Sequence, residues 1–306
     1  MRSFCALRLR VPSAAAGAVA NFLLEQGAPG LVEETPRGVR GVVLTAPFVS
    51  RARGEAAARA LRGLLRALRR LGTLRGRTRM ALHAVRGSAW ADRWKRYARP
   101  VRIGRRLVVR PSWVRAAEDG AARVTLDPGM AFGTGAHATT RLCLESLARH
   151  VHGRERVLDL GTGSGVLAIA AAKLGAREIV ALDTDPLACR VARENSRRNR
   201  VARRVLVRQG SLAACTARGF DLAVANLTAR DLAEVLPGLA RRVRPDGLLV
   251  VSGLLRGQES AARRAARAAG FGPATARRRG QWVALEVRRP PRGISPSPRR
   301  PAGRAS

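Results

Sequence analysis

Val157-Leu-Asp-Leu-Gly-Thr-Gly-Ser-Gly-Val166 is the stretch whose reading decides the fold. Val157–Leu160 reads as a short buried strand, and Gly161, Gly163 and Gly165 at alternate positions form a tight loop that opens a helix. Glycines at such positions let the backbone approach a ligand where a side chain would collide. The first N–H groups of the helix are expected to point outward and attract an anion. Strand, glycine loop and helix in this order place a small organic ligand at the loop.

Outward from the loop, strand and helix alternate. Strands are expected at Val157–Leu160, Glu178–Asp183, Arg204–Arg208, Asp221–Asn226 and Leu248–Ser252, with helices at 164–174, 186–199, 229–242 and 256–269. Phe271–Ala276 and Trp282–Val287 read as a closing pair of strands. The pattern predicts a mainly parallel α/β sheet, and in such sheets ligands sit at the carboxyl ends of the strands near the first βα turn.

Four features converge on that point. The first is the loop with Asp159 just before it. A dinucleotide site wants G-x-G-x-x-G, but Val166 stands three residues after Gly163, and no Gly-Lys-Ser/Thr follows to make a phosphate-binding Walker loop. The Asp-x-Gly-x-Gly-x-Gly spacing instead resembles the cofactor loop of class I S-adenosylmethionine-dependent methyltransferases. The second is Asp183, which ends the next strand 18 residues past Gly165 and can accept both hydroxyls of a ribose. Asp185 before Pro186 reads as a helix cap with proline at the first helical position. The third is Asn226 in Ala225-Asn-Leu-Thr228, whose carbonyl can accept a hydrogen bond from an amine and orient its lone pair; capping the next helix is the other reading. The fourth is Leu126-Asp-Pro-Gly-Met-Ala-Phe-Gly-Thr-Gly-Ala-His-Ala-Thr-Thr140, a loop over the site in which Thr139 or Thr140 can cap the next helix and bond a ligand. His137 is either a base or structural, and His150-x-His152 has too few partners for a metal site.

The chain before this domain divides in two. Residues 1–86 read β-α-β-β-α-β, the order of a ferredoxin-like domain: strands Phe4–Val11, Gly30–Glu34, Val39–Thr45 and Thr78–Val85, a helix opened by Pro12-Ser13, and a second helix from Gly54 to Leu71. Leu61, Leu64, Leu65 and Leu68 stripe that second helix, with Arg59, Arg62, Arg66, Arg69 and Arg70 elsewhere on its surface. The stripe faces a core, or else the helix lies on a membrane or RNA surface. Residues 87–125 read as a connector. There Trp90 and Trp94 share one face of a short helix ended by Pro100, Val101–Arg110 alternates, and Trp113 follows. These tryptophans either pack the domains together or line the substrate cleft.

Composition bounds the class. With 46% hydrophobic residues over 306 positions the chain is globular, and no apolar run approaches the ~20 residues of a membrane helix. The alternating N-terminus suits a strand better than a signal peptide, and four scattered cysteines without a C-x-x-C pair predict a reduced, cytoplasmic chain. The net charge is +37, and 56 of the 58 basic residues are arginine. A GC-rich coding bias and attraction to nucleic acid both account for that skew.

Taken together, Leu126–Thr140, Leu158–Gly165, the Asp183 segment and Asn226-Leu-Thr resemble the bacterial large-subunit ribosomal protein 11 methyltransferase family (PrmA). The connector from Trp94 through Arg110-Pro-Ser-Trp113 and the small leading domain fit as well, so the likeness covers about residues 3–287. It implies a Rossmann-like seven-stranded methyltransferase domain over 126–287, a ferredoxin-like substrate-recognition domain over 1–86, and a flexible linker between them. The implied S-adenosyl-L-methionine contacts fall on Thr140, Gly161, Asp183 and Asn226, joined by Asp159, Gly163 and Gly165 of the loop. The implied reaction is methylation of lysine and N-terminal amines of that ribosomal protein, free or on the ribosome, by a monomer with non-specific rRNA contact through arginines and no metal. Rival readings are a methyltransferase of the same fold acting on RNA or another protein, and a non-catalytic ribosome- or RNA-binding protein. Two positions depart from the family pattern: Ala138 where proline is frequent, and Thr228 for an apolar residue. Residues 288–306, basic and proline-rich with no acid, read as a disordered tail.

Overall fold

The computed structural model describes residues 4–28, 31–34, 41–48, 50–70, 72, 74, 78–85, 100–114, 119–126 and 137–291. The glycine-rich stretch at 127–136, the tryptophans at 90 and 94, and residues 292–306 of the tail expected over 288–306 lie outside the described residues, whereas Arg288 and Arg289 of that tail are ordered by backbone bonds to Gly272, Asp246 and Gly247.

The leading segment runs β1 (Phe4–Val11), α1 (Ser13–Glu25), β2 (Val32–Glu34), β3 (Val42–Phe48), α2 (Arg51–Arg70) and β4 (Met80–Val85). Its four strands lie in the order β2-β3-β1-β4, antiparallel throughout. On β1, Leu7, Leu9 and Val11 are buried while Arg8 and Arg10 are exposed, the period-two alternation of a half-covered sheet. Ala57, Leu61, Leu65 and Leu68 of α2 join Val19 and Leu23 of α1 and Leu44 and Ala46 of β3 in one cluster. The leucine stripe of α2 therefore faces a core, and its arginines at 59, 62, 66, 69 and 70 are exposed. Gly54, expected to start this helix, lies inside it: a Cβ there would come within 2.4 Å of Cys5 Sγ, so only glycine lets α2 pack this close to β1.

Between residues 100 and 126 a small sheet forms from β5 (Val101–Ile103), β6 (Leu107–Arg110) and β7 (Ala122–Thr125). The run expected as one alternating stretch is a hairpin, because Gly104 at φ 56° turns the chain back between β5 and β6. Strand β7 pairs parallel with β6. Ile103, Leu107, Val109 and Val124 pack into the same core cluster as the glycine-loop helix, so the described part of the expected connector is built onto the α/β layer.

From residue 137 the chain runs α3 (Ala138–His150), β8 (Arg156–Leu160), α4 (Val166–Lys173), β9 (Glu178–Asp183), α5 (Pro186–Arg198), β10 (Val205–Gln209), β11 (Phe220–Asn226), α6 (Ala229–Arg242), β12 (Val243–Leu255), α7 (Glu259–Ala268), β13 (Ala274–Arg279) and β14 (Trp282–Arg288). The seven strands are ordered β10-β9-β8-β11-β12-β14-β13. The first five are parallel, and β14 enters antiparallel against β12 with β13 at the edge. Helices α3, α4 and α5 cover one face and α6 and α7 the other. Every residue of Val166–Ala172 is buried, which fits a helix that is apolar all round. Because β9 and β11 flank β8 on opposite sides, strand order reverses at β8, and the carboxyl ends of these three strands open a crevice. The edge strand expected at Phe271–Ala276 is shifted to Ala274–Arg279. Its register is set by pairing with β14, and its exposed arginines leave little apolar signal to read.

Candidate active site

The glycine loop sits where the sequence puts it, with left-handed φ values of 75°, 55° and 83° at Gly161, Gly163 and Gly165. Side chains are excluded twice over. A Cβ on Gly161 would lie 2.7 Å from Leu227 Cδ2, and one on Gly165 would lie 3.2 Å from the Ala192 backbone of α5. Its N–H groups, however, do not wait for an anion. Gly161 and Thr162 donate to Leu182 O, and Gly165 donates to Thr162 O, each at 2.9 Å. The third N–H of α4, on Ala168, donates to Asp159 Oδ2 at 3.1 Å.

Asp159, expected among the cofactor contacts, has no exposed surface and lies beneath the loop. Its Oδ2 also accepts the Thr162 hydroxyl at 2.7 Å. The carboxyl thus takes the place at the helix N-terminus that an external anion was expected to fill. Burial pushes its pKa up to about 7, against the pull of the Thr162 and Ala168 hydrogen bonds.

Asp183 ends β9 and reaches across to the loop: Oδ2 accepts Gly163 N at 2.9 Å and Oδ1 accepts Asp185 N at 3.0 Å. A carboxylate has about four acceptor positions. Two remain after these bonds, and the residue is partly exposed, so both hydroxyls of a ribose can be accepted. Asp185 caps α5, accepting Leu187 N at 2.8 Å with Pro186 in the first turn.

Asn226 ends β11, held in the parallel ladder opposite Ser252 of β12. It does not cap α6. That cap is Thr228, whose hydroxyl oxygen accepts Asp231 N at 3.3 Å. The cap on Thr228 thus leaves the Asn226 side chain out of the helix terminus. Asn226 Nδ2 faces Thr140 Oγ1 at 3.5 Å, which brings together two expected contacts that stand 86 residues apart in the sequence. Neither Thr139 nor Thr140 caps α3. His137 does, its Nδ1 accepting Thr139 N at 3.3 Å while its ring meets Trp282 edge to face at 5.2 Å. Burial lowers the His137 pKa to about 4, so the ring is neutral and a weak base at neutral pH. His150 turns away to Glu286, at 3.4 Å.

Sequence reading missed three contributors. Asn195 Nδ2 donates to Ser164 O of the loop at 2.8 Å, and Asn199 bonds the backbone of Thr125. Leu227 forms the wall opposite Gly161. The two asparagines stand four apart, Asn195 in the last turn of α5 and Asn199 at its C-cap, and that spacing of polar residues at buried positions was a legible signal.

These features combine in a chain whose residues 3–290 match the family described as ribosomal protein L11 methyltransferase (PrmA). The chain belongs to this family. A PrmA-family relative from Pelotomaculum thermopropionicum, named ribosomal protein L11 methyltransferase, is 49% identical over 200 residues, 65% of each chain. One of the same name from Chloroflexus aurantiacus is 45% identical over 226 residues, covering 66% of this chain and 69% of the relative. The matches therefore span about two thirds of the curated relatives' length. A solved structure of ribosomal protein L11 methylase from Lactobacillus delbrueckii subsp. bulgaricus is similar with a TM-score of 0.58 and 33% identity, covering 62% of this chain and 98% of that one.

Proposed function

We propose that this chain is an S-adenosylmethionine-dependent methyltransferase that modifies amines of large-subunit ribosomal protein 11, on lysine side chains and at the N-terminus. The observation that carries the reading is the paired geometry at the strand ends: Asp183 bonded to Gly163 on one side of the crevice, and Asn226 facing Thr140 on the other, in a PrmA-family chain. When bound, S-adenosylmethionine supplies a methyl carbon already made electrophilic by its sulfonium. Asp183 accepts the ribose hydroxyls. Gly161, Gly163 and Gly165 give room for the cofactor, and Asp159 holds their loop from beneath. Thr140 and Asn226 complete the cofactor contacts, and Asn226 also orients the amine.

The chain's remaining work is to present a neutral amine in line with the methyl group. A free lysine has a pKa of about 10.4, so withdrawal from water and neighbouring positive charge must release its proton. The Asn226 Oδ1 then accepts one amine N–H and directs the lone pair. With Nδ2 turned to Thr140, that oxygen is the atom left for the task. No residue of the site is assigned as an obligatory base.

The antiparallel β2-β3-β1-β4 sheet with two helices supports a ferredoxin-like substrate-recognition domain over 1–86, ahead of a connector to 125 and a methyltransferase domain over 126–287. The exposed arginines of α2 offer non-specific contact with ribosomal RNA. The enzyme acts as a cytoplasmic monomer. Among the described residues no helix is long and apolar enough to cross a membrane.

Incubation with labelled S-adenosylmethionine and purified large-subunit proteins tests the reading. Label in ribosomal protein 11 is expected. Label in RNA instead would move the assignment to an RNA methyltransferase of the same fold, and an absence of cofactor binding would leave a ribosome-binding protein.

A further inference from the structure

Helix α5 carries a polar ladder that begins at the glycine loop and ends at the small sheet. Asn195 Nδ2 donates to Ser164 O at 2.8 Å, and Asn195 O accepts Asn199 Nδ2 at 2.8 Å. The same Asn199 amide donates to Thr125 O at 2.7 Å, and its Oδ1 accepts Thr125 N at 2.7 Å. Asn195 and Asn199 are 7% and 4% exposed. Apolar residues could pack at these positions without the cost of burying an amide, and that cost is offset only because every bond goes to backbone.

The two ends of the ladder are soft for different reasons. Ser164 stands between two left-handed glycines at φ 55° and 83°, so little in its own sequence fixes the direction of its carbonyl. Asn199 is the cap residue where α5 stops, and helix ends fray. Its two hydrogen bonds with the Thr125 backbone work as a neighbouring strand would and tie the end of α5 to β7. The last turn of α5 includes Asn195. By contrast, Ser196 Oγ folds back onto Ala192 O at 2.7 Å and reaches neither end.

We propose that Asn195 and Asn199 are positioning residues for the cofactor loop, with Asn199 setting cofactor affinity through Asn195 although it bonds no loop atom. The proposal rests on the reading of the loop as the S-adenosylmethionine site and extends it to a second layer of the protein. Asn195 fixes the Ser164 carbonyl, and thereby the Ser164–Gly165 peptide at the end of the loop whose Gly163 N–H, two peptides earlier, meets Asp183.

Calorimetric titration of the full chain with S-adenosylhomocysteine tests this on wild type, Asn195→Ala, Asn199→Ala and the double variant. Each single substitution is expected to weaken binding about three- to tenfold, in line with loss or loosening of the one ladder bond that reaches the loop, Asn195 Nδ2 to Ser164 O. The double variant is expected to bind within about twofold of the weaker single, because both remove one linked support. In turnover, KM for the cofactor rises while kcat changes less. A role in stability alone would lower the melting temperature and leave affinity as in wild type, and that result overturns the proposal. So does a double variant whose loss is the product of the two singles. Should Asn199→Ala not fold, Asn199→Ser keeps a small donor and acceptor and is expected to weaken binding in the same direction. Wild type that binds no S-adenosylhomocysteine overturns the cofactor reading along with the ladder; wild type that binds, with unaltered variants, overturns the ladder alone.

Discussion

The core beneath the four-stranded sheet and the core around the seven-stranded sheet are built from different materials. Among the described residues, the first cluster is Leu, Val, Ala, Phe and Cys throughout. The twelve buried polar or charged residues all lie at 137 or beyond, from His137 to Glu286. Four of the twelve, Asp159, Thr162, Ser164 and Asn195, lie in or bond the glycine loop or its helix. A buried polar group destabilises unless bonded, so such residues persist where geometry is worth more than packing. The leading segment is held by apolar packing. The second domain keeps a wired interior.

Removing a core leucine from the first region separates the two designs with the largest effect. Leu61→Ala on α2, at a position with no exposed surface, is expected to cost about 2–5 kcal/mol in chemical denaturation of the full chain. S-adenosylhomocysteine affinity should stay within about twofold of wild type, while methylation of ribosomal protein 11 falls. A parallel drop in cofactor affinity would mean that the two cores do not act separately.

Asp183→Ala makes the converse cut. It removes the two proposed ribose acceptors and leaves the N–H groups of Gly163 and Asp185 without their partner, so binding should weaken by about 2–4 kcal/mol, roughly 30- to 1000-fold. Melting temperature should move far less than in Leu61→Ala. Calorimetry against circular dichroism reads both.

The wired interior also predicts a pH response that an apolar core cannot have. The pKa of Asp159 is raised from 3.8 to about 7. Between those values the folded chain holds a proton that the unfolded chain has lost, so this group's contribution to stability falls as pH rises from about 4 to about 7 and is flat above. Glu286 acts in the opposite sense. Although burial alone would raise its pKa, the hydrogen bonds from Arg149 and Ser146 hold it low, so its stabilisation is lost as pH falls into the carboxylate range. Asp159→Asn keeps the shape and removes the titration. The difference in stability between wild type and this variant should decline with pH across the first window, by at most about 1.4 kcal/mol per unit. A difference that is level from pH 4 to 7 would mean that Asp159 titrates at an ordinary value.

The parallel sheet was legible because its strands are short aliphatic runs bounded by glycine, and the helix at 229–242 was bounded by the residues expected. That Asp183 and Asn226 stand at strand ends was legible because each closes a short aliphatic run. What escaped was set by neighbours distant in sequence. Gly54 reads as a helix start until Cys5 Sγ is seen beneath it. Asp159 reads as a ligand contact until its burial under Thr162 is seen. His137 reads as either a base or a structural residue until Thr139 N is seen to use its Nδ1. Sequence distinguished which residues are polar, and only the fold distinguished those turned to the crevice from those turned to the protein.

Thr228→Ala gives the smallest and most local test of that distinction. The hydroxyl caps α6, accepting Asp231 N and donating to Asp231 Oδ2 at 2.8 Å, a reciprocal arrangement at the first turn. Its loss should cost about 1 kcal/mol of stability. Asn226 stands two residues earlier, but it is held by the β11–β12 ladder, and Leu227 N bonds Ser252 O at 3.1 Å between the two. Cap and amide are therefore anchored separately. Cofactor affinity and turnover in Thr228→Ala should match wild type while the melting temperature falls. If kcat fell tenfold with the cap, Thr228 would belong to the site itself, and the polar interior would reach one residue beyond the ladder.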